Sequence, residues 1–353
     1  MNKKYIFITI AVIAFLVVGI LGLTSCDKDE DNTGDPVVDA RPTVTIVDAN
    51  GDEFTIKTNP TSVAIYDYGV LDILDSVGFD TLGIEKLAVP NKDGLPADLA
   101  SYKERDNVIS AGSLFIVDLD VLDLIQPELI ILGGRSFGRK ADNSAVTAAE
   151  KEELVNEAYE KFPNATFIKL SVNSSNSSLL SDMQRNAYAL ARIFNNVEIA
   201  IKYKAIDDGM DEIQAKAKAS GKTALFGMMV DQTTFSVFNV NSRFDMLYEE
   251  FGFTPVDPQA VAWGDAHGLN ARCEYVLDKN PDLIFILDRS ATIGTGAGYE
   301  NFLADASIQQ TEAYKNDNIY LLTGEAWYTM TGGFTAAERM IEDINQYFDS
   351  LEE

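Results

Sequence analysis

The sequence predicts an α/β fold: two Rossmann-like α/β lobes bridged by one long helical segment, with a ligand cleft between them. Three observations carry this. Short apolar or β-branched runs alternate with stretches of helical spacing, and crossovers of that length imply parallel βαβ units. A long helical pattern fills 179–219 in mid-chain, with Gly221 as its stop. Finally, Pro127-Glu128-Leu129-Ile130-Ile131-Leu132-Gly133-Gly134-Arg135 returns as Pro281-Asp282-Leu283-Ile284-Phe285-Ile286-Leu287-Asp288-Arg289, with proline, acid, Leu-Ile and arginine at one spacing.

In chain order, the first element is a targeting segment. Lys3 and Lys4 precede an uncharged run that ends in Leu23-Thr24-Ser25-Cys26. A positive start, an apolar stretch and small residues before a cysteine read as a signal peptide over 1–25 closing on a lipobox, with Cys26 the lipidated first residue. The acidic stretch 26–42 follows as a tether that cannot bury a core. The expected address is the cell membrane, lipid-anchored, facing the periplasm or the cell exterior. A plain membrane anchor at 6–23, just long enough to span, gives the same address.

A hairpin is expected over 41–47 and 53–56, turning at Asn50-Gly51. Strands at 62–66, 129–132 and 165–170 and helices at 70–76, 117–125 and 145–161 complete a first lobe over 43–178. The connecting region 179–220 has room for a break at Asn195-Asn196. The second lobe, 221–353, repeats the grammar with strands at 223–229, 234–240, 283–287 and 319–322. Its helices are expected at 243–251, 300–304, 308–314 and 334–347.

Composition narrows the function. Acidic residues outnumber basic ones 55 to 28, for a net charge of -27. Such a chain lacks the basic face that nucleic acid or an anionic bilayer requires. One histidine excludes His-clustered metal sites and catalysis, and Cys273 has no disulfide partner once Cys26 is lipidated. No nucleophile elbow or zincin motif is present. The glycines of 292–298 lack the lysine-hydroxyl pair of a phosphate loop. No enzymatic site, cofactor or resident metal is expected.

Ligands of α/β sheets bind beyond the carboxyl ends of strands, and Arg135 and Arg289 both stand where a repeated strand finishes. If the lobes face one another, these arginines converge; otherwise each is a surface side chain at a loop start. Arg243 follows the strand 234–240 through Asn241-Ser242, with Ser242 read as the N-cap of the next helix. Three guanidiniums in so acidic a chain suit a compact, multivalent anion. Tyr66, Phe137, Trp263, Tyr299 and Trp327 fall at strand ends or in loops, where ring stacking on a ligand and plain packing are both open. His267, in a glycine-bounded loop, reads as structural.

From 63 to 344 the chain resembles the substrate-binding lipoproteins of ABC importers for iron-siderophores, the petrobactin and catecholate branch in particular. The resemblance rests on Tyr66-Asp67-Tyr68-Gly69-Val70-Leu71-Asp72, Gly112-Ser113-Leu114-Phe115, the string 127–135, and Asn241-Ser242-Arg243-Phe244. Phe251-Gly252-Phe253, His267-Gly268, the string 288–294 and Asn318-Ile319-Tyr320 continue it. It implies a class III periplasmic-binding-protein fold with little closure, a ferric siderophore as ligand, and ABC permease subunits with a cytoplasmic ATPase as partners of a monomeric receptor. The family's pocket arginines fall on Arg135, Arg243 and Arg289, and its two permease-docking acids on Asp120 and Glu274. Asp120 departs from the usual glutamate, which leaves Asp118 and Asp123 as neighbours able to dock instead. The stretches 140–144 and 173–178 depart too and leave the first lobe's rim open. A haem, cobalamin or other anionic-chelate binder, with Tyr66, His267 or Met228 as a haem ligand, and a surface enzyme or structural lipoprotein remain the alternatives.

Overall fold

A computed structural model describes residues 39–172, 178–258 and 268–351, so the leader with Cys26, the rim stretch 173–177, Trp263 and His267 lie outside the described residues. Residues 41–353 form one compact unit. The predicted hairpin is present as β1 (Thr43–Val47) and β2 (Glu53–Lys57), antiparallel. Its turn is longer than the Asn-Gly pair suggests, because Asp48 Oδ1 accepts the N–H groups of Asn50 and Asp52 and winds residues 48–52 around itself.

The first lobe then runs β3 (Ser62–Ile65), α1 (Tyr68–Ser76), β4 (Lys86–Val89), β5 (Val108–Ser110), α2 (Leu119–Asp123), β6 (Leu129–Leu132), α3 (Ala148–Lys161) and β7 (Thr166–Lys169). Its sheet has the order β5-β4-β3-β6-β7, parallel throughout. Strand order reverses between β3 and β6, which fixes where the crevice of a doubly wound sheet must lie. Side-chain caps start the helices: Asp67 for α1, Asp118 for α2, and a Thr147–Glu150 capping box for α3.

The connector is two helices, α4 (Leu179–Ile193) and α5 (Val197–Ser220). They break where predicted: Asn195 takes a left-handed conformation, and the Asn196 side chain caps α5 by accepting the Glu198 N–H.

The second lobe comprises β8 (Thr223–Met229), β9 (Phe235–Phe238), α6 (Met246–Glu249), β10 (Thr254–Pro255), β11 (Leu269–Asn270) and α7 (Cys273–Lys279). It continues through β12 (Leu283–Asp288), α8 (Arg289–Thr292), α9 (Tyr299–Leu303), α10 (Glu312–Lys315), β13 (Ile319–Leu321), α11 (Gly324–Tyr328) and α12 (Phe334–Asp349). The sheet order is β11-β9-β8-β12-β13, with β10 beside β8. Here β9 runs antiparallel to β8, a hairpin turned by Asp231, unlike the parallel strands of the first lobe. The helix expected at 243–251 shrinks to α6, since Asn241 is left-handed and the Ser242 hydroxyl donates back to the Asn239 carbonyl instead of capping. The helix expected at 308–314 is interrupted at Thr311, which caps α10.

The repeated proline-acid joint has one role in both lobes. Gln126 and Asn280 end their helices left-handed, and the acid after the proline ties down the neighbouring strand. Glu128 accepts from the Thr61 hydroxyl and N–H at 2.9 and 3.2 Å; Asp282 accepts from the same groups of Thr223 at 2.8 and 2.9 Å. The joint thereby sets the register of β6 beside β3 and of β12 beside β8.

Two carboxylates, buried Asp72 and half-buried Glu250, tie the second lobe to the first and to the connector. Asp72 on α1 accepts the Ala336 N–H (3.1 Å) in the first turn of α12, whose own N-cap is Gly333. Glu250, just after α6, accepts the Leu180 N–H (3.1 Å) in the first turn of α4, which has no side-chain cap of its own. Close backbone approach completes the seam: a Cβ on Gly69 would lie 2.8 Å from the Thr331 carbonyl oxygen. Burial, opposed in part by the Leu180 N–H and reinforced by Asp245 and Asp182, pushes Glu250 up to about 7 from 4.5.

A raised carboxyl pKa means that the folded state holds its proton where the unfolded chain has lost it. Glu250's contribution is therefore fully present below the unfolded value and is lost as pH rises through about 7. The expected slope within that window is up to ~1.4 kcal/mol per pH unit. Urea unfolding of Glu250→Gln between pH 5 and 8 should show a flatter pH dependence and a gain over the parent above pH 7; a slope equal to the parent's rejects the role given to Glu250.

Candidate functional site

The crevice at the β3/β6 switch point opens as a cavity of about 320 Å³ lined from both lobes, with Tyr66, Asp67 and Arg135 on one wall and Arg243, Asp245 and Tyr328 on the other. Arg135 leaves β6 through Gly133-Gly134. A Cβ on Gly133 would lie 2.5 Å from the Tyr66 carbonyl oxygen, so only glycine lets the end of β6 pass the end of β3. Arg289, the first residue of α8, leaves β12 directly. Arg243 stands in the turn after β9, not on a helix terminus.

All three arginines meet on Tyr328, the last residue of α11. The Tyr328 carbonyl accepts from Arg135 Nη2 at 2.9 Å and from Arg243 Nη2 at 3.2 Å. Arg289 Nε donates to the Tyr328 hydroxyl at 2.8 Å, while its Nη1 donates to the Val230 carbonyl at 2.9 Å. The ring is boxed as well, with the guanidinium carbons of Arg243, Arg135 and Arg289 at 4.3, 5.2 and 5.6 Å from its centroid. Only Arg135 and Arg243 line the cavity; Arg289 reaches it through the phenol.

The electrostatics follow from this geometry. None of the ion pairs among the described residues involves any of the three. The acid whose field Arg135 stabilises, Asp67, spends Oδ1 on the Gly69 and Val70 N–H groups, and burial pushes it up to about 6. Burial, and then the charges of Arg135 and Arg289, lower the pKa of Arg243. Burial opposes ionisation of Tyr328, yet the hydrogen bond from Arg289 and the charges of all three arginines outweigh it, so the phenol sits below its ordinary value. The result is a cationic cage without an ion-pair partner, whose charges favour ionisation of the phenol they surround.

The aromatic candidates are divided. Tyr66 and Trp327 form the floor but are buried, and their polar atoms are occupied: the Tyr66 hydroxyl donates to the Ala111 carbonyl and the Trp327 indole N–H to Asp343, both at 2.8 Å. Tyr299 does not reach the cleft. Its ring packs into the second lobe's core beside Ile319, and its N–H donates to Asp288. The Phe137 ring is buried in the first lobe's core. The glycine tract 294–298 closes around the Asp288 carboxylate, which also accepts from Ala291 and Gly298 N–H, so its turns serve the protein's own acid and not a phosphate. Sequence reading missed Tyr328 although it flagged its neighbour. Successive helical residues point about 100° apart, and with Trp327 held inward by Asp343, Tyr328 faces the arginines.

Asp120 and Glu274 occupy matching first-turn positions of α2 and α7 and are both exposed, Asp120 in an ion pair with Lys161. Each lies at the cleft end of its sheet: Val117 bridges Gly112 just past β5, and Ala271 bonds Phe235 opposite the end of β8. Asp118 is committed to capping α2. No group of three or more His, Cys, Asp or Glu side chains among the described residues is placed to hold a metal ion.

Comparison with known proteins agrees with this architecture. The chain is 25% identical over 352 residues to the petrobactin-binding protein of Bacillus subtilis, covering 99% of each chain. It is 24% identical over 340 residues to the ferric-anguibactin-binding protein of Vibrio anguillarum, covering 96% of this chain and 97% of that one. Among solved structures it is similar to the periplasmic catecholate-siderophore binding protein of Vibrio cholerae, with 27% identity and a TM-score of 0.72 over 86% of this chain and 100% of that one. The Periplasmic binding protein family model matches residues 63–326, and with a two-lobed cleft built for binding and not for catalysis, the chain belongs to that family.

Proposed function

We propose that this protein is the extracytoplasmic receptor of an ABC importer and that its cleft captures a ferric siderophore of the anionic catecholate type, petrobactin-like in its charge. The observation that carries the reading is the cage: three guanidiniums from two lobes, without a carboxylate partner, on one tyrosine. Such a site is electrostatically incomplete until a multivalent anion enters, and the ring oxygens of a ferric catecholate match the guanidinium fork. The relatives named for petrobactin, anguibactin and catecholate siderophores support the same class. Haem fits less well, because Tyr66 is committed to Ala111 and Met228 is buried in the β8 core.

Arg135 and Arg243 contact the ligand, Arg289 acts through Tyr328, and Tyr66 and Trp327 shape the floor. Trp263, which lies outside the described residues, completes the candidate set on sequence grounds. Asp120 and Glu274 dock the permease, one acid per lobe on the rim of the cleft. Cys26 carries the lipid that holds a monomeric receptor at the membrane; among the described residues no helix is long and apolar enough to cross one.

Three outcomes test this. Titration with a ferric catecholate-citrate complex should weaken tenfold to hundredfold for Arg135→Ala and Arg243→Ala, the worth of a charge-assisted contact at about 1.5 to 3 kcal/mol. Arg289→Ala and Tyr328→Phe should weaken binding to a similar extent as each other. The ligand-free melting temperature of each arginine variant should not fall, since like-charge repulsion is relieved. Unchanged affinity in all of them, or lost stability with every loss of affinity, refutes the cage as binding site.

For the permease, Asp120→Ala/Glu274→Ala should abolish most siderophore uptake in a complemented strain while affinity in solution stays at the parental value. Normal uptake by that variant removes the assignment. For the anchor, intact mass of membrane-extracted protein should show a chain beginning at an acylated Cys26, and a chain retaining residues 1–25 without acyl mass contradicts it.

A further inference from the structure

A ladder of alternating cations and rings climbs out of the cage. Arg135, which holds the Tyr328 carbonyl, also lies 5.8 Å from the centroid of the Phe115 ring, and Arg139 lies 5.4 Å from the same ring on the way to solvent. The order from the floor is therefore Arg243, Tyr328, Arg135, Phe115, Arg139. Phe115 lines the cavity and remains 38% exposed, unlike Tyr66 and Trp327, which are buried.

The exposed ring is held in place by its backbone. Ser113 Oγ accepts the Phe115 and Ile116 N–H groups, both at 3.2 Å, and the Phe115 carbonyl accepts the Arg139 N–H at 3.2 Å. Arg139 is fixed in turn, since its Nη1 donates to the Asn143 carbonyl at 2.8 Å within the turn that covers 140–144. A hydrophobic ring pinned toward water between two guanidiniums gains little for the folded chain by itself. A cavity of about 320 Å³ also sits at the small end of ligand sites, so a bulky complex seated on the cage projects past Phe115.

We propose that Phe115 and Arg139 form an outer subsite that receives a peripheral aryl arm of the ferric complex, the ring packing on Phe115 and its anionic oxygens meeting Arg139. The subsite rests on the reading of the cage as the siderophore site and adds a preference to it: an aryl-bearing anionic chelate over an aliphatic one. The inner arginines then set how tightly negative charge is held, and the lip sets which ligand skeleton brings it.

The test is a titration of the full mature protein with a ferric catecholate complex, comparing the parent with Phe115→Ala, Phe115→Tyr, Arg139→Gln and Arg243→Ala. Aromatic contacts of this kind predict about three- to tenfold weaker binding for Phe115→Ala, recovery in Phe115→Tyr, and a comparable loss for Arg139→Gln. Ligand-free melting temperatures of the three lip variants should equal the parent's, which a merely structural Phe115 would not allow. Parental affinity in Phe115→Ala alongside the loss in Arg243→Ala overturns the subsite and leaves the cage standing. So does a loss that Phe115→Tyr fails to recover. If the parent binds no ferric catecholate, or Arg243→Ala binds as well as the parent, the reading of the cage fails and the subsite falls with it.

Discussion

Three positive charges drawn from two lobes share a single tyrosine, and the rest of the molecule is arranged to hold them there. Like charges at such range repel by a few kcal/mol per pair even at an effective dielectric near 20. Without a carboxylate partner, the offset comes from the Tyr328 and Val230 carbonyl dipoles, the phenol and the negative face of its ring. These are weak, directional partners, so the cage keeps a surplus of unspent donor capacity. They also demand accurate placement, which explains why each arginine leaves a strand end or tight turn and not a mobile surface helix.

Placement is secured one layer further back. Asp343 on α12 accepts from the Thr323 N–H and hydroxyl and from the Trp327 indole, and so fixes both ends of the short helix that presents Tyr328. The same α12 is capped by Asp72 of the first lobe, while Glu250 of the second caps α4. The first lobe thus completes a helix of the second, and the second completes a helix of the connector. Asp72 and Glu250 are both pushed up, to about 6 and about 7, by the burial this arrangement requires.

Much of this was legible in the sequence because it is periodic. The break at Asn195-Asn196, the stop at Gly221 and the paired proline-acid joints follow from turn and capping chemistry that acts locally. The convergence of Arg135 and Arg289 was legible for a topological reason, since the carboxyl ends of parallel strands face the crevice; Arg243 was expected near a helix terminus and reaches the site instead from the turn after the antiparallel β9. What escaped was short or relational. β5 is three residues long, below the length at which periodicity separates strand from loop, and β4 was passed over although it is as long as β3, β6 and β7. The helix at 243–251 failed because Ser242 bonded backwards, a competition between local hydrogen bonds that residue type alone does not decide. Tyr328 was invisible since its direction depends on Trp327 finding Asp343, sixteen positions on.

The cage is recessed in a chain whose formal net charge is -27, so an arriving anion meets opposite fields at different ranges. Far from the cleft the overall charge repels it; within the cleft the guanidiniums take over. Screening by salt reaches the first field more completely, because its charges are spread over exposed surface and fade beyond a Debye length of roughly 8 Å at physiological ionic strength. The partly buried cage is shielded less. On the proposed reading of the cage, arrival and residence of ligand answer to ionic strength in opposite senses: salt speeds encounter by quieting the general repulsion, and it shortens the stay by weakening the hold. In dilute surroundings such a receptor loads slowly and keeps what it has loaded; in saline ones it exchanges cargo faster.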